Sequence, residues 1–185
     1  TYDVTPQLQK ENAIGVILGN GRFYTMRQNY KPYKIPTFGY PKLRLNLIIE
    51  YTDGSRQTIA SDISWKLTTE GPIRSNNEYD GEEYDARKEL GDWNRTGYDD
   101  TNWIPAGRVS IPSGTLRAQM MPGMKVTESL KPVSIRKQGD KHILDIGQNM
   151  AGWLRIRIKG QAGDSIRLRF AERLQADGEI FTKNL

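Results

Sequence analysis

Residues 42–51 alternate in character. Leu43, Leu45, Leu47, Ile49 and Tyr51 fall on one side, and Lys42, Arg44, Asn46 and Glu50 on the other. A period of two fits a strand with one buried face and excludes an amphipathic helix over the same residues. Thr52-Asp53-Gly54-Ser55 follows. Asp-Gly between alternating runs signals a hairpin, which places the return strand at residues 56–60. The same pattern predicts strands at residues 13–18, 116–120, 133–135, 143–146, 153–158 and 165–170. Gly160-Gln161-Ala162-Gly163-Asp164 is the turn between the last two. No stretch sustains helical spacing over three turns. One or two helical turns are allowed at residues 98–103, where Asp99-Asp100 suits a helix N-terminus. Many short strands with turn signals predict an all-β chain built from sandwich or barrel units.

Composition removes whole classes of chemistry. The 185 residues include no cysteine and one histidine, His142. Disulfide frameworks, cysteine–zinc sites, iron–sulfur clusters and thiol catalysis are excluded, as is any two-histidine metal site. No apolar run reaches the roughly 20 residues of a membrane span. No signal peptide is seen, and neither end looks natural, so location is not read directly. The net charge is +5. Residues 1–124 hold 15 basic and 15 acidic side chains; residues 125–185 hold 12 and 7 and carry the whole excess. A basic half raises nucleic-acid binding as an option. Here, however, Arg155, Arg157, Lys159, Arg167 and Arg169 alternate with apolar residues, which reads as the solvated or domain-facing side of two strands. No nucleic-acid partner is expected. Proline and glycine at Met121-Pro122-Gly123, with the change in charge balance, mark a boundary.

Two stretches could carry function. Glu78, Asp80, Glu82, Glu83 and Asp85 put five carboxylates within eight residues, beside Tyr79 and Tyr84. Paired carboxylates serve glycoside hydrolysis, and oxygen clusters bind calcium. Carboxylates this close on a strand point to opposite faces, and Asp85 can simply pair with Arg87. Gly19-Asn20-Gly21-Arg22-Phe23-Tyr24 lacks the spacing of a phosphate loop and reads as a turn. Asn20 and Arg22 offer directional hydrogen bonds to hydroxyls. Tyr24, with Tyr30 and Tyr33 in the following tyrosine–proline loop, offers ring faces that lose little entropy on ordering. These five residues are the candidate sugar contacts. Trp93, Trp103, Tyr98 and Tyr40 are further aromatic candidates, with core packing the expected role of Trp103.

Several pieces together resemble the N-terminal β-domains of bacterial α-L-rhamnosidases. They are Leu47-Ile48-Ile49-Glu50-Tyr51-Thr52-Asp53-Gly54-Ser55, Ser61-Asp62-Ile63-Ser64-Trp65-Lys66, Tyr79-Asp80-Gly81-Glu82-Glu83-Tyr84-Asp85-Ala86-Arg87, the stretch from Trp93 to Trp103, Asp145-Ile146-Gly147-Gln148-Asn149-Met150-Ala151-Gly152-Trp153, and Arg169-Phe170-Ala171-Glu172-Arg173-Leu174. The resemblance implies an accessory region of a large modular bacterial enzyme that removes terminal α-L-rhamnose from glycans or glycosides with inversion. Its implied fold is a galactose-binding-like jelly-roll β-sandwich over residues 1–122, expected to lack its first strands. The opening of a concanavalin-like β-sandwich follows over residues 125–185. The implied partners are a rhamnose-containing glycan or glycoside and an (α/α)6 catalytic barrel of the same parent chain. That barrel holds the general acid and base, so no residue here inherits a catalytic role. Some relatives bind rhamnose through calcium, which makes calcium the one cofactor the resemblance raises. The parent is expected in the periplasm, outside the cell or in the cytoplasm. A spacer that packs on the barrel without a ligand is the alternative.

Overall fold

The computed structural model describes residues 1–25, 38–110, 114–115 and 117–182. The chain divides into two units, Thr1–Arg117 and Ala118–Leu185. It is all-β. Among the described residues, eight short strands pair into four two-stranded antiparallel sheets, and the only helical residues are the 3-10 turns Thr5–Gln7 and Ala86–Lys88.

In the first unit, β1 (Asn46–Glu50) pairs with β2 (Arg56–Ala60), with Glu50 opposite Arg56 and Leu47 opposite Ile59. The expected alternation is present: Leu43, Leu45, Leu47 and Ile49 are half-buried, and Lys42, Arg44, Asn46 and Glu50 are exposed. The turn closes as Asp-Gly chemistry requires. Gly54 takes φ +84°, which a side chain with a Cβ rarely adopts, and the Asp53 carboxylate accepts the Ser55 N–H at 2.8 Å. Further along, β3 (Lys66–Leu67) pairs with β6 (Ile104–Pro105), and β4 (Ile73–Asn77) with β5 (Gly81–Tyr84).

No helix forms at residues 98–103. The Trp103 N–H donates to the Asp100 carbonyl at 3.0 Å, one turn closes, and Ile104 then enters β6. Strand pairing with Leu67 takes the backbone that a helix would have continued. Trp103 is half-buried rather than a core residue, in an aromatic group with Trp93 (centroids 6.3 Å apart) and Tyr98 (5.8 Å, edge-on). The expected strand at residues 13–18 is irregular backbone. Gly15 lies against the Trp93 ring, so closely that a Cβ there would overlap it.

In the second unit, β7 (Ser134–Gln138) and β8 (Lys141–Asp145) form a hairpin about Gly139-Asp140, with Gly139 at φ +63°. The segment around Leu174–Ile180 folds back on itself through one β-bridge. It is tied to β7 by Arg136, which donates to the Gly178 carbonyl, and to β8 by the Lys141–Glu179 ion pair at 3.3 Å. The hairpin expected at residues 153–170 does not form a ladder. Both arms are exposed irregular backbone around a turn in which the Asp164 N–H donates to the Gln161 carbonyl at 3.1 Å. The strand expected at residues 116–120 is likewise absent from 117–120, and residue 116 lies outside the described residues.

Among the described residues no apolar side chain is fully buried, and the one buried residue is Thr25. Large apolar side chains are therefore open to solvent: Ile48 on β1 and Trp153 in the irregular 153–170 segment are 60 % and 69 % exposed. Two-stranded ribbons alone are marginally stable in water, and a third strand or a covering layer is what completes them.

Candidate functional site

The turn at residues 19–25 docks on the tip of the β4–β5 hairpin. Gly21 takes φ +48°, and the Tyr24 N–H donates to the Asn20 carbonyl at 3.1 Å to close the turn. The Thr25 hydroxyl lies 3.2 Å from the carbonyls of both Gly21 and Arg22. Four hydrogen bonds carry the turn onto the hairpin. The Glu78 N–H donates to the Gly21 carbonyl at 3.2 Å, and the Gly21 N–H donates to Asn76 Oδ1 at 3.4 Å. Arg22 Nη1 donates to Glu78 Oε2 at 2.9 Å and to the Tyr79 hydroxyl at 2.6 Å. A Cβ on Gly19 would sit 3.0 Å from Asn76 Oδ1, a tight contact that the Asn76 side chain would have to yield to.

The electrostatics follow from these bonds. The Arg22 guanidinium is held above its ordinary value, first by the hydrogen bond to Glu78 and then by Tyr79. It stays charged, and its Nε and Nη2 protons have no partner among the described residues. The Tyr24 ring stacks on Tyr40 with centroids 4.8 Å apart, and side-chain hydrogen bonding to Tyr40 raises the Tyr24 hydroxyl. Tyr40 is 71 % exposed and leaves a ring face open. Behind this pair, Phe23 contacts Phe38 at 5.8 Å, and Lys42 stands 5.8 Å over the Phe23 ring. The Asn20 side chain is half-buried and has no hydrogen-bond partner among the described residues.

Three of the five predicted sugar contacts, Asn20, Arg22 and Tyr24, thus share one turn beside an open aromatic face. Tyr30 and Tyr33 lie outside the described residues. The sequence reading missed Asn76, Glu78 and Tyr79 as partners of this turn. Their separation from Arg22 is more than 50 residues, and no local pattern reports such a contact.

The acidic run is spread over the same hairpin rather than gathered. Glu78 pairs with Arg22, and Asp80 accepts from Asn77 Nδ2 at 2.8 Å. Glu82 accepts from Asn76 at 3.1 Å and Glu83 from Ser75 at 3.4 Å. Asp85 accepts from Arg87, whose hydrogen bonds hold its carboxyl down to about 2. Each carboxylate has its own neutral or cationic partner. No group of three or more acidic or histidine side chains converges on a metal-sized point among the described residues. Among the described residues no helix is long and apolar enough to cross a membrane.

Comparison with known proteins adds the family. Residues 1–128 match the α-L-rhamnosidase N-terminal domain, and residues 135–185 the concanavalin-like domain of bacterial α-L-rhamnosidases. The chain is 39 % identical to an α-L-rhamnosidase of Formosa agariphila over 97 % of its own length, which is 19 % of that protein. It is 36 % identical to one from Streptomyces avermitilis over its full length, 18 % of that protein. A crystal structure of the Streptomyces avermitilis α-L-rhamnosidase complexed with L-rhamnose superposes on 77 % of the chain with a TM-score of 0.69 at 36 % identity, covering 14 % of that structure. The α-L-rhamnosidase from Dictyoglumus thermophilum matches 70 % of the chain and 14 % of its own with a TM-score of 0.56 and 37 % identity. The chain spans about a fifth of the length of the curated relatives it matches.

Proposed function

The chain belongs to the bacterial α-L-rhamnosidase family, of which it is the N-terminal domain region, and we propose that it serves there as an accessory carbohydrate-binding region. The parent activity in this reading is hydrolysis of terminal α-L-rhamnose from glycans or glycosides. The acid and base would be supplied by a catalytic barrel in the same polypeptide. We also propose that the region divides into a sandwich domain over residues 1–122 and the start of a second over residues 125–185. The division of the fold near Arg117 and Ala118 supports this, as do the separate family matches on either side of residues 128 and 135.

One observation carries the binding role: the turn that holds Asn20, Arg22 and Tyr24 is pinned to the β4–β5 hairpin while its polar ends stay available. Arg22 spends one nitrogen on Glu78 and Tyr79 and keeps two donor groups for hydroxyls. The Tyr24–Tyr40 stack gives a flat apolar face next to them. A ligand would meet a guanidinium whose orientation is already fixed, so less entropy is lost on binding.

Titration with L-rhamnose tests this, with the backbone amides of Asn20 and Tyr24 followed by NMR. Saturable shifts there at millimolar sugar, weakened by Arg22→Ala and Tyr24→Ala, are expected. A spacer role is the second reading, favoured by the open apolar faces at Ile48, Trp153 and Phe170. Absence of any saturable shift, in the chain and in the full-length enzyme, would leave the spacer.

A further inference from the structure

The chain has five methionines, and three of them fall within five residues, Met120-Met121-Pro122-Gly123-Met124. The run opens the second unit, Ala118–Leu185. All three are exposed, Met120 by 98 %, Met121 by 74 % and Met124 by 97 %. Packing therefore does not account for them, and their thioethers stand in solvent, open to a ligand.

The chemistry around the run is soft and carries no negative charge. No carboxylate lies between Asp100 and Glu128, and the chain has no cysteine. Its single histidine, His142, sits in β8 opposite Lys137. Two cations, Arg117 and Lys125, flank the methionines. Calcium and magnesium rely on carboxylates, and none is at hand. Any divalent ion would also meet twice the repulsion from Arg117 and Lys125 that a monovalent ion meets. Thioether sulfur is a soft ligand that selects Cu(I). The donors and the charge thus point to the same class, a soft monovalent cation.

Pro122 and Gly123 supply the means of closure. Proline then glycine suits the two central positions of a reverse turn, which brings its first and fourth residues within about 7 Å, here Met121 and Met124. The backbone bends at Met121, but no hydrogen bond from the Met124 N–H to the Met121 carbonyl closes the turn. Methionine is unbranched and rotates about three bonds, so a closed turn lets these two sulfurs and that of Met120 reach one point. We propose that Met120, Met121 and Met124 bind a soft monovalent cation, Cu(I) or its analogue Ag(I), through their thioethers. The ion closes the turn, and ordering this open segment holds the affinity to a moderate value. A thioether releases no proton when it donates its lone pair, so binding is insensitive to pH where a histidine site would not be. This goes beyond the accessory-domain reading and shares no residue with the turn at Asn20–Tyr24.

The experiment uses the 185-residue chain with carbon-labelled methionine methyl groups and silver(I), in chloride-free buffer, as probe. The methyl signals of Met120, Met121 and Met124 should move together and saturate at one ion per chain, while those of Met26 and Met150 stay in place. Copper(I), added without oxygen, should displace the silver and shift the same three signals. Met121→Leu and Met124→Leu keep the side-chain volume and should each weaken binding by at least about 10-fold, the lower end of what losing even an outer partner of a metal costs. Both positions are exposed, so the amide spectrum of β7 and β8 should be unchanged in the two variants. His142→Gln should leave the dissociation constant unaltered, and the constant should be the same from about pH 5 to 8. Saturation that disappears in His142→Gln or fades toward pH 5 would overturn the methionine site in favour of the imidazole. Equal affinity in both leucine variants, or shifts at all five methionines that grow without saturating, would overturn it too.

Discussion

Residues 42–60 and residues 153–170 each carry an alternating apolar–polar run beside a short turn, yet one forms a hairpin ladder and the other does not. In the first region the alternation lies before the turn, at residues 42–51; in the second it lies on both sides of the turn, so the second shows the stronger strand pattern. The difference lies on the polar face. Across β1–β2, Glu50 faces Arg56, and their side chains meet at 2.6 Å. A hairpin centred on Ala162 would set Arg157 opposite Arg167 and Arg155 opposite Arg169, since each pair is equidistant from that residue. Like charges directly opposite destabilise a pair of strands, whereas opposite charges contribute about 0.2–1 kcal/mol. The same register matches Ile156 with Leu168 and Leu154 with Phe170, so the apolar face favours a ladder that the charged face opposes. Alternation marks a segment as able to be a strand. Cross-strand chemistry and a covering layer decide whether it becomes one.

Both turns hold a glycine at positive φ, Gly54 at +84° and Gly163 at +99°, and the largest expected effect tests how far the ladder of the first region depends on its own. Gly54 sits at φ +84° in the β1–β2 turn, a conformation that costs a residue with a Cβ about 1–2 kcal/mol. Gly54→Val should therefore speed amide exchange across Asn46–Glu50 and Arg56–Ala60 by about 5- to 30-fold. Exchange at 154–158 and 165–170 should not change. If exchange in β1 and β2 were unaltered, the β1–β2 ladder would not depend on the geometry of its turn, and cross-strand pairing alone would separate the two regions.

The second expectation reverses the charges. Arg167→Glu with Arg169→Glu converts both like-charged pairs into opposite ones, for a gain of about 0.2–1 kcal/mol per pair. Carbon chemical shifts at 154–158 and 165–169 should move toward strand values, and the amides there should gain protection. Unchanged shifts would mean that a missing layer, rather than charge, keeps the arms apart.

The strands that the sequence made legible are those in which period and turn chemistry agree. β1, β2, β7 and β8 lie at or close to their expected places, each pair around a short turn with a glycine at positive φ, although the glycine at 163 shows that such a turn alone does not suffice. β3 and β6 were missed: two residues each are too few to show a period, and Leu67 meets Ile104 across a long stretch of chain. β4 was missed because Arg74-Ser75-Asn76-Asn77 has poor strand propensity, and its place comes from pairing with β5 instead. The site divides the same way. Asn20, Arg22 and Tyr24 were legible by residue type and by the glycines around them. The contact of Arg22 with Glu78 and Tyr79 was not, because only the fold brings those segments together.

The smallest expected effect concerns acid, and it again separates the two regions. Hydrogen bonding from Ser55 lowers the Asp53 carboxyl below its ordinary value of 3.8. The folded value lies below the unfolded one, so the turn gains stability from this carboxylate above about pH 3.8 and loses it as pH falls through the lowered value. The group is exposed, and the contribution is correspondingly slight. Amide protection in β1 and β2 should hold from neutral pH to about 4 and then decline. Asp53→Asn keeps an oxygen that can accept from Ser55 but cannot ionise, so in that variant the decline below pH 4 should flatten. Residues 154–158 and 165–170 have no ladder to lose and should show no matching step. An equal acid-dependent loss in the Asn variant would show that the step does not belong to Asp53.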